Sequence, residues 1–309
     1  MYVSLPKSIL VNVTSTIGYI KKELVFLILY TCGVLIIFKS FELDEILIDS
    51  SVTSILGVGL SIIIGFSNNA NYDRWWEARK IWGGVVNYSR SFAVQVITYP
   101  SEEFRRVKKD KRQAWTKKMV YRHIAWINAL RLHLRNQNDW QDIEPFLSKE
   151  EFSKLTRVVN KPTQLNLNQS KDLNEAFENG LIDDFRHVAI MEMVTELYNL
   201  QGKCERIKNT PFPKQYDFFT LLSMWIFILI LPFTLLNHMT IAMPIISILV
   251  STVFILLEKS GRATGNPFEN MSQDISMTAL CRTIEIDLKE MLDESSLPKP
   301  IQPDKNVLM

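Results

Sequence analysis

The sequence predicts an all-α integral membrane protein with four crossings per chain and a large helical region outside the bilayer, and three observations carry that prediction. Residues 218–257 contain no Asp, Glu, Lys or Arg, a gap too long for a buried core helix and suited to two bilayer crossings. A second uncharged stretch runs from Ser50 to Tyr72. Between these stretches, apolar residues recur at helical spacing from Ala114 to Arg135 and again from His187 to Ile207, as they do in amphipathic helices.

Each crossing can be placed in turn. The first apolar run, Leu24–Phe38, is short for a span, but Lys22 and Lys39 flank it and can extend its reach by snorkelling. The second, between Asp49 and Asp73, would reach roughly 34 Å as a helix, enough to cross. The third covers about Phe218 to Leu236 and the fourth about Met239 to Leu257, so Asn237 and His238 are left to form a tight turn. The N-terminal segment lacks the basic start, apolar core and small-residue cleavage site of a secretory signal, and its amphipathic pattern fits a segment lying at the membrane surface.

Basic residues set the expected orientation. Lys21, Lys22, Arg74, Arg79, Lys80, Arg206, Lys208, Lys214, Lys259 and Arg262 all fall on one side, whereas the opposite loop carries Lys39 against Glu42, Asp44, Glu45 and Asp49. The positive-inside rule therefore puts both termini and residues 74–214 in the cytoplasm of a multi-pass cell-membrane protein. Four segments follow: a surface segment and two crossings in 1–73, a cytosolic helical region in 74–214, a membrane hairpin in 215–258 and a cytosolic C-terminal segment in 259–309. Within the cytosolic region, residues 153–172 are polar and contain Pro162, so they are expected to form a loop. The basic cluster of Arg105, Arg106, Lys108, Lys109, Lys111 and Arg112 reads as a solvated helix face, with membrane lipid headgroups as the alternative contact.

Several function classes are excluded. A formal net charge of +2, without interleaved aromatic and basic residues, argues against a nucleic-acid partner. Cys32, Cys204 and Cys281 are too widely spaced for a zinc site or disulfide framework and are expected to be buried thiols. His123, His133, His187 and His238 have no metal-ligand spacing, so no metal centre and no cofactor is expected. Carboxylate pairs such as Asp183 with Asp184 or Glu102 with Glu103 lack an accompanying nucleophile or cofactor motif, and no enzyme or catalytic residue is expected.

Within the second crossing, Val58, Ile62 and Phe66 recur every fourth position and form a stripe that drifts slowly around the helix, continued by Asn69 and Asp73. If several copies surrounded an axis with this face inward, the outer half of the passage would be a dry constriction and the inner half would be polar. A helix packing its apolar face against neighbours has the same spacing, so spacing leaves both readings open. Gly57, Gly59 and Gly65 permit close helix contact under either.

The strings GFSNNANYDRWWEARKIWGGVV, RHIAWINALRLHLR, CERIKNTPFPKQYDFF, NPF and ALCRTIEIDL occur in that order and resemble bacterial bestrophins, over about residues 20–303. The resemblance implies a homopentamer around one axial pore, with a hydrophobic neck in the membrane and a helical cytosolic vestibule ending in a second, narrower aperture. Counting back from Arg74, Trp75 and Trp76 puts the family's neck on Val58, Ile62 and Phe66, and counting back from Cys204 puts its aperture at or near Val188. Animal members bind calcium in an acidic cluster after an Asn-Pro-Phe motif. Here Asn266, Pro267 and Phe268 are followed by Met271 where a carboxylate is needed, and only Asp274 remains of the acidic ligands, too few for tight calcium binding. The expectation is a channel for monovalent ions, of chloride type by resemblance. Acidic residues Asp44, Glu45 and Asp49 in the outer loop keep cation permeation as the alternative, and a non-conducting membrane scaffold is the third reading.

Overall fold

A computed structural model describes residues 9–41, 48–100, 109–211, 213–236, 239, 241–304 and 307–308, with side chains from residue 16 onward. The expected Asn237–His238 turn, the acidic residues Glu42, Asp44 and Glu45, and Arg105, Arg106 and Lys108 lie outside the described residues. Helices dominate: α1 (Ile9–Phe41), α2 (Ser50–Thr98), α3 (Lys109–Leu134), α4 (Lys149–Leu155), α5 (Lys161–Glu178), α6 (Asp184–Asn209), α7 (Lys214–Leu236), α8 (Met243–Thr264) and α9 (Met277–Met291), with a short 3₁₀ turn at Trp140–Phe146. The chain divides into two units: one takes the described residues up to Trp75 together with Pro211–Asn266, the other those of Trp76–Thr210 and those from Pro267 onward. Helix α2 contributes its first half to the former and its second half to the latter.

The first unit is a membrane bundle. Four helices are long and apolar enough to cross: Thr16–Phe41 of α1, α2, α7 and α8, and helices are what a bilayer demands because their backbone groups are satisfied internally. Ile20, Leu27, Leu60, Ile64, Phe227, Ile228 and Ile255 form its centre. Small and polar contacts between helices add to this apolar centre, as expected where lipid offers no hydrophobic drive for association. The Thr53 and Thr234 hydroxyls pair, Tyr30 donates to the Leu229 carbonyl (2.6 Å), and Asn68 Nδ2 donates to the Leu257 carbonyl (3.1 Å). At the latter contact α2 and α8 come so close that a Cβ on Gly261 would collide with Asn68, and one on Gly265 with Asn71. Cys32 departs from expectation: it is exposed, on the same face of α1 as the exposed Ile28, Leu29 and Ile36, because the outer surface of a membrane span accepts a weakly polar thiol as readily as a core does.

The second unit buries a conventional core, in which Trp82, Phe92, Met119, Trp126, Leu132 and Phe268 are fully enclosed. Residues 153–172 are not a loop. Only 156–160 break the chain between α4 and α5. Asn160 caps α5 by accepting the Thr163 N–H at 3.0 Å, and Pro162 sits in the first turn, where its missing N–H costs nothing. The polar pattern misled because the buried face of α5 is itself partly polar: Gln169 is enclosed and donates to the Met119 carbonyl at 2.8 Å. Helix α4 starts with an N-cap, Ser148 accepting the Glu151 N–H at 3.2 Å. At the end of α3, Asn136 adopts φ 53° and the Gln137 N–H reaches back to the Leu132 carbonyl at 2.9 Å, closing the helix as a Schellman turn.

Candidate ion pathway

The first half of α2 has two opposite faces. Thr53, Leu60, Ile64, Ser67 and Asn71 are buried within the membrane bundle, and Ile64 is only 2 % exposed. Val58, Ile62 and Phe66 are 63, 54 and 67 % exposed. At about 100° per residue the stripe from Val58 through Ile62, Phe66 and Asn69 to Asp73 stays within an arc of about 80°, and Ile64 lies about 200° around from Ile62. Asn69 and Asp73 are exposed too. Along the axis, Val58 and Phe66 stand about 12 Å apart. This face is open within the chain: Cβ atoms on Gly59 and Gly65 would meet nothing within 4 Å, whereas one on Gly57 would press on the Phe227 ring.

Val188 lies in the other unit, near the start of α6. Asp183 caps that helix by accepting the Arg186 N–H at 2.8 Å. Phe185, Val188, Glu192, Thr195 and Asn199 alternate at three- and four-residue spacing and form its exposed face. Ile190, Val194, Leu197 and Cys204 anchor the opposite face in the core, and burial pushes the Cys204 thiol well above its ordinary range. A depression of about 430 Å³ opens around Val188, lined also by Tyr88, Met191, Glu192 and Glu196.

The two residues singled out near the Asn-Pro-Phe motif belong to different units. Asn266 belongs to the membrane bundle, where it lines a small cavity with Asn71, Lys214, Asp217 and Arg262. Asp274 belongs to the helical unit and is buried. Its Oδ2 accepts the Met271 N–H at 3.1 Å, and its own N–H donates to the Met271 carbonyl at 3.1 Å, so the carboxylate holds its turn. Burial raises its pKa against the opposing pull of those backbone donors. Nearby, Met271 is exposed and Glu269 pairs with Lys208 at 2.6 Å. Among the described residues no group of three or more His, Cys, Asp or Glu could hold a metal.

One polar feature of the bundle escaped sequence reasoning. Glu258, nearly buried toward the end of α8, pairs with Arg262 one turn on, and Arg74 Nε donates to the Gly265 carbonyl at 2.7 Å. The four-residue Glu-to-Arg spacing at the end of an apolar run was the available signal.

Four apolar helices, an outward-facing apolar stripe on α2 and a separate helical unit define the class: a multi-pass helical membrane protein. The sequence matches the family described as Bacterial/Fungal Bestrophin protein over residues 4–290, and the chain belongs to that family. Among its relatives is the voltage-dependent anion channel-forming protein YneE of Escherichia coli, 30 % identical over 82 % of this chain and 80 % of that protein. The Salmonella typhi protein of the same name is 30 % identical over 94 % of this chain and 92 % of its own length. A crystal structure of a bacterial bestrophin homologue from Klebsiella pneumoniae shares the fold, with a TM-score of 0.82 at 23 % identity, covering 90 % of this chain and all of that one.

Proposed function

We propose that this chain is the subunit of a homopentameric anion channel, with both termini cytoplasmic and a single axial pore whose neck is Val58, Ile62 and Phe66. The observation that carries the reading is the face these residues share: apolar, outward and continuous with Asn69 and Asp73, on a membrane helix whose opposite face is packed. The curated relatives named as voltage-dependent anion channel-forming proteins support the ion class. An apolar ring narrow enough to exclude water imposes a dehydration barrier on any ion, so the neck gates by dewetting and the ion's charge is chosen elsewhere. Val188 is the proposed cytosolic aperture. Because Asp274 is engaged by its own turn, micromolar calcium is expected to leave the current unchanged in excised patches.

Purified protein in a planar bilayer under a salt gradient tests the ion class: the reversal potential should shift toward the chloride equilibrium potential. A shift toward the cation's potential would support the second reading, cation permeation. That reading is favoured by two exposed carboxylates, Asp73 on the neck stripe and Glu192 one turn from Val188. Absence of current under every voltage would support a non-conducting scaffold.

A further inference from the structure

The helical unit contains a buried cationic pair that the proposed ion pathway does not use. Arg131 and Arg135 stand one turn apart at the end of α3, and both are more than nine-tenths buried. Arg131 pairs with Asp142 through Nη2 at 2.8 Å, but its Nε has no hydrogen-bond partner among the described residues. Arg135 is less satisfied still. It forms no ion pair among the described residues, donates from Nη1 to the Thr278 hydroxyl at 2.6 Å, and leaves both Nε and Nη2 unpartnered. Asp274, within electrostatic reach, is held by the backbone of its own turn. Burial and the neighbouring Arg131 push Arg135 down to about 10. A buried cation with unpartnered donors and no ion pair is costly, and a bound anion is one arrangement that would satisfy it.

Beside this pair lies a cavity of about 550 Å³. Arg131 lines it directly, and Thr278, which accepts from Arg135, forms part of the same wall, so Arg135 stands behind the lining. Arg282 and Lys289 of α9 also face the cavity, both paired with the nearly buried Glu285 at 3.3 and 2.8 Å. The lining thus brings three cations, Arg131, Arg282 and Lys289, against two carboxylates, Asp142 and Glu285, while behind it Arg135 lies within reach of Asp274 and the Tyr121 hydroxyl donates to Glu294 at 2.8 Å. Tyr121, Pro145, Phe146 and Ile301 supply apolar surface. The volume far exceeds what a halide needs, and planar guanidinium forks match the paired oxygens of an oxyanion better than a spherical ion.

We propose that this cavity binds a small organic oxyanion, a phosphate monoester or carboxylate, with its charged end against Arg131 and Thr278 in front of Arg135 and its apolar body against Tyr121 and Phe146. Phenyl phosphate and benzoate are suitable probes for the two head groups, with inorganic phosphate and chloride to separate head-group from whole-ligand binding. Titration into the purified full chain in detergent, followed by calorimetry and thermal unfolding, should show saturable binding of phenyl phosphate or benzoate, one per chain, with a raised unfolding midpoint. Inorganic phosphate should bind more weakly than its phenyl ester, and chloride should not compete at equal concentration. Arg131→Gln should weaken binding by about tenfold or more, the loss of one charge-assisted contact. Arg282→Gln on the other wall should weaken it less, and Lys118→Gln, which alters the ion pair with Asp172, should leave it unchanged. Arg135→Met should raise the midpoint of the free protein, by removing the uncompensated charge, and cancel the rise that the probe causes. If neither organic probe binds, or if both bind Arg131→Gln and Arg282→Gln as tightly as the parent, the proposal is wrong. It is equally wrong if chloride displaces them at equal concentration.

Discussion

The two units of the chain both bury an apolar centre but differ in where they put charge and large apolar surface. In the helical unit the core is mostly large and apolar, with Trp82, Phe92 and Trp126 sealed from solvent, and charge enters the interior both in paired clusters such as Arg122 with Glu151 and Asp172 and, at Arg135, with no ion-pair partner among the described residues. In the membrane bundle the centre is apolar as well, with Leu27, Leu60, Ile64 and Phe227 enclosed, but many other enclosed residues are small or polar, among them Thr53, Ser67, Asn71, Thr220, Thr234 and Ser251, and many large apolar side chains face outward. Outward apolar surface is therefore the rule there and does not by itself mark a pore: Leu29 on α1 is 69 % exposed, as open as Phe66. What sets the α2 stripe apart is its continuation into the exposed Asn69 and Asp73, which carries the same face from apolar to polar as the crossing ends.

The largest effect should come from breaking charge inside the helical unit. Arg122 is nearly enclosed, donates from Nε and Nη2 to both oxygens of Glu151 at 2.6 and 3.0 Å, and from Nη1 to Asp172 at 2.6 Å. Arg122→Met removes the shared cation and should cost about 3 kcal/mol, read as a lower unfolding midpoint in detergent. The contact between α2 and α8 comes next: Gly261→Ala must displace Asn68 from its bond to the Leu257 carbonyl and should cost about 1–3 kcal/mol. Gly59→Ala, whose Cβ meets nothing within the chain, is the control that should keep the parent's midpoint.

A smaller effect depends on pH. His123 is fully buried between Phe92 and Trp126, and burial depresses its pKa from 6.5 to about 3. The Ser89 hydroxyl donates to the Val85 carbonyl, so His123 donates to Ser89 from Nε2 at 2.8 Å, and its Nδ1 has no partner among the described residues. Only the unfolded chain takes up the proton, so this histidine's contribution is complete above about pH 6.5 and declines progressively down to about pH 3. Between pH 7 and 5.5 the loss should be about 1 kcal/mol, and His123→Gln should flatten that part of the midpoint-versus-pH curve.

The membrane helices were legible because long runs without charge have few other uses in a chain of this size. Helix α5 was not legible: Gln169 and Asn166 are buried, and polar residues turned inward look in sequence like a loop. On α2 the spacing of Val58, Ile62 and Phe66 was visible, but not which neighbour each face would meet, since Ile62 and Ile64 are the same residue type and only packing against α7 and α8 separates them. The Arg131 and Arg135 pair was invisible for a related reason. Two arginines one turn apart on a helix read as a solvated face until α9 closes over them.

Single-channel recording of variants on the two faces of α2 tests the proposed pathway most directly. Ile62→Ala with Phe66→Ala widens the apolar ring, admits water and should raise open probability with little change in selectivity. Ile64→Ala removes a buried contact in the bundle and should lower yield and unfolding midpoint, by about 2 kcal/mol or more, without opening the pore. A double variant that assembles normally yet conducts like the parent, together with an Ile64→Ala channel that opens, would place the pore on the other face of this helix and contradict the account.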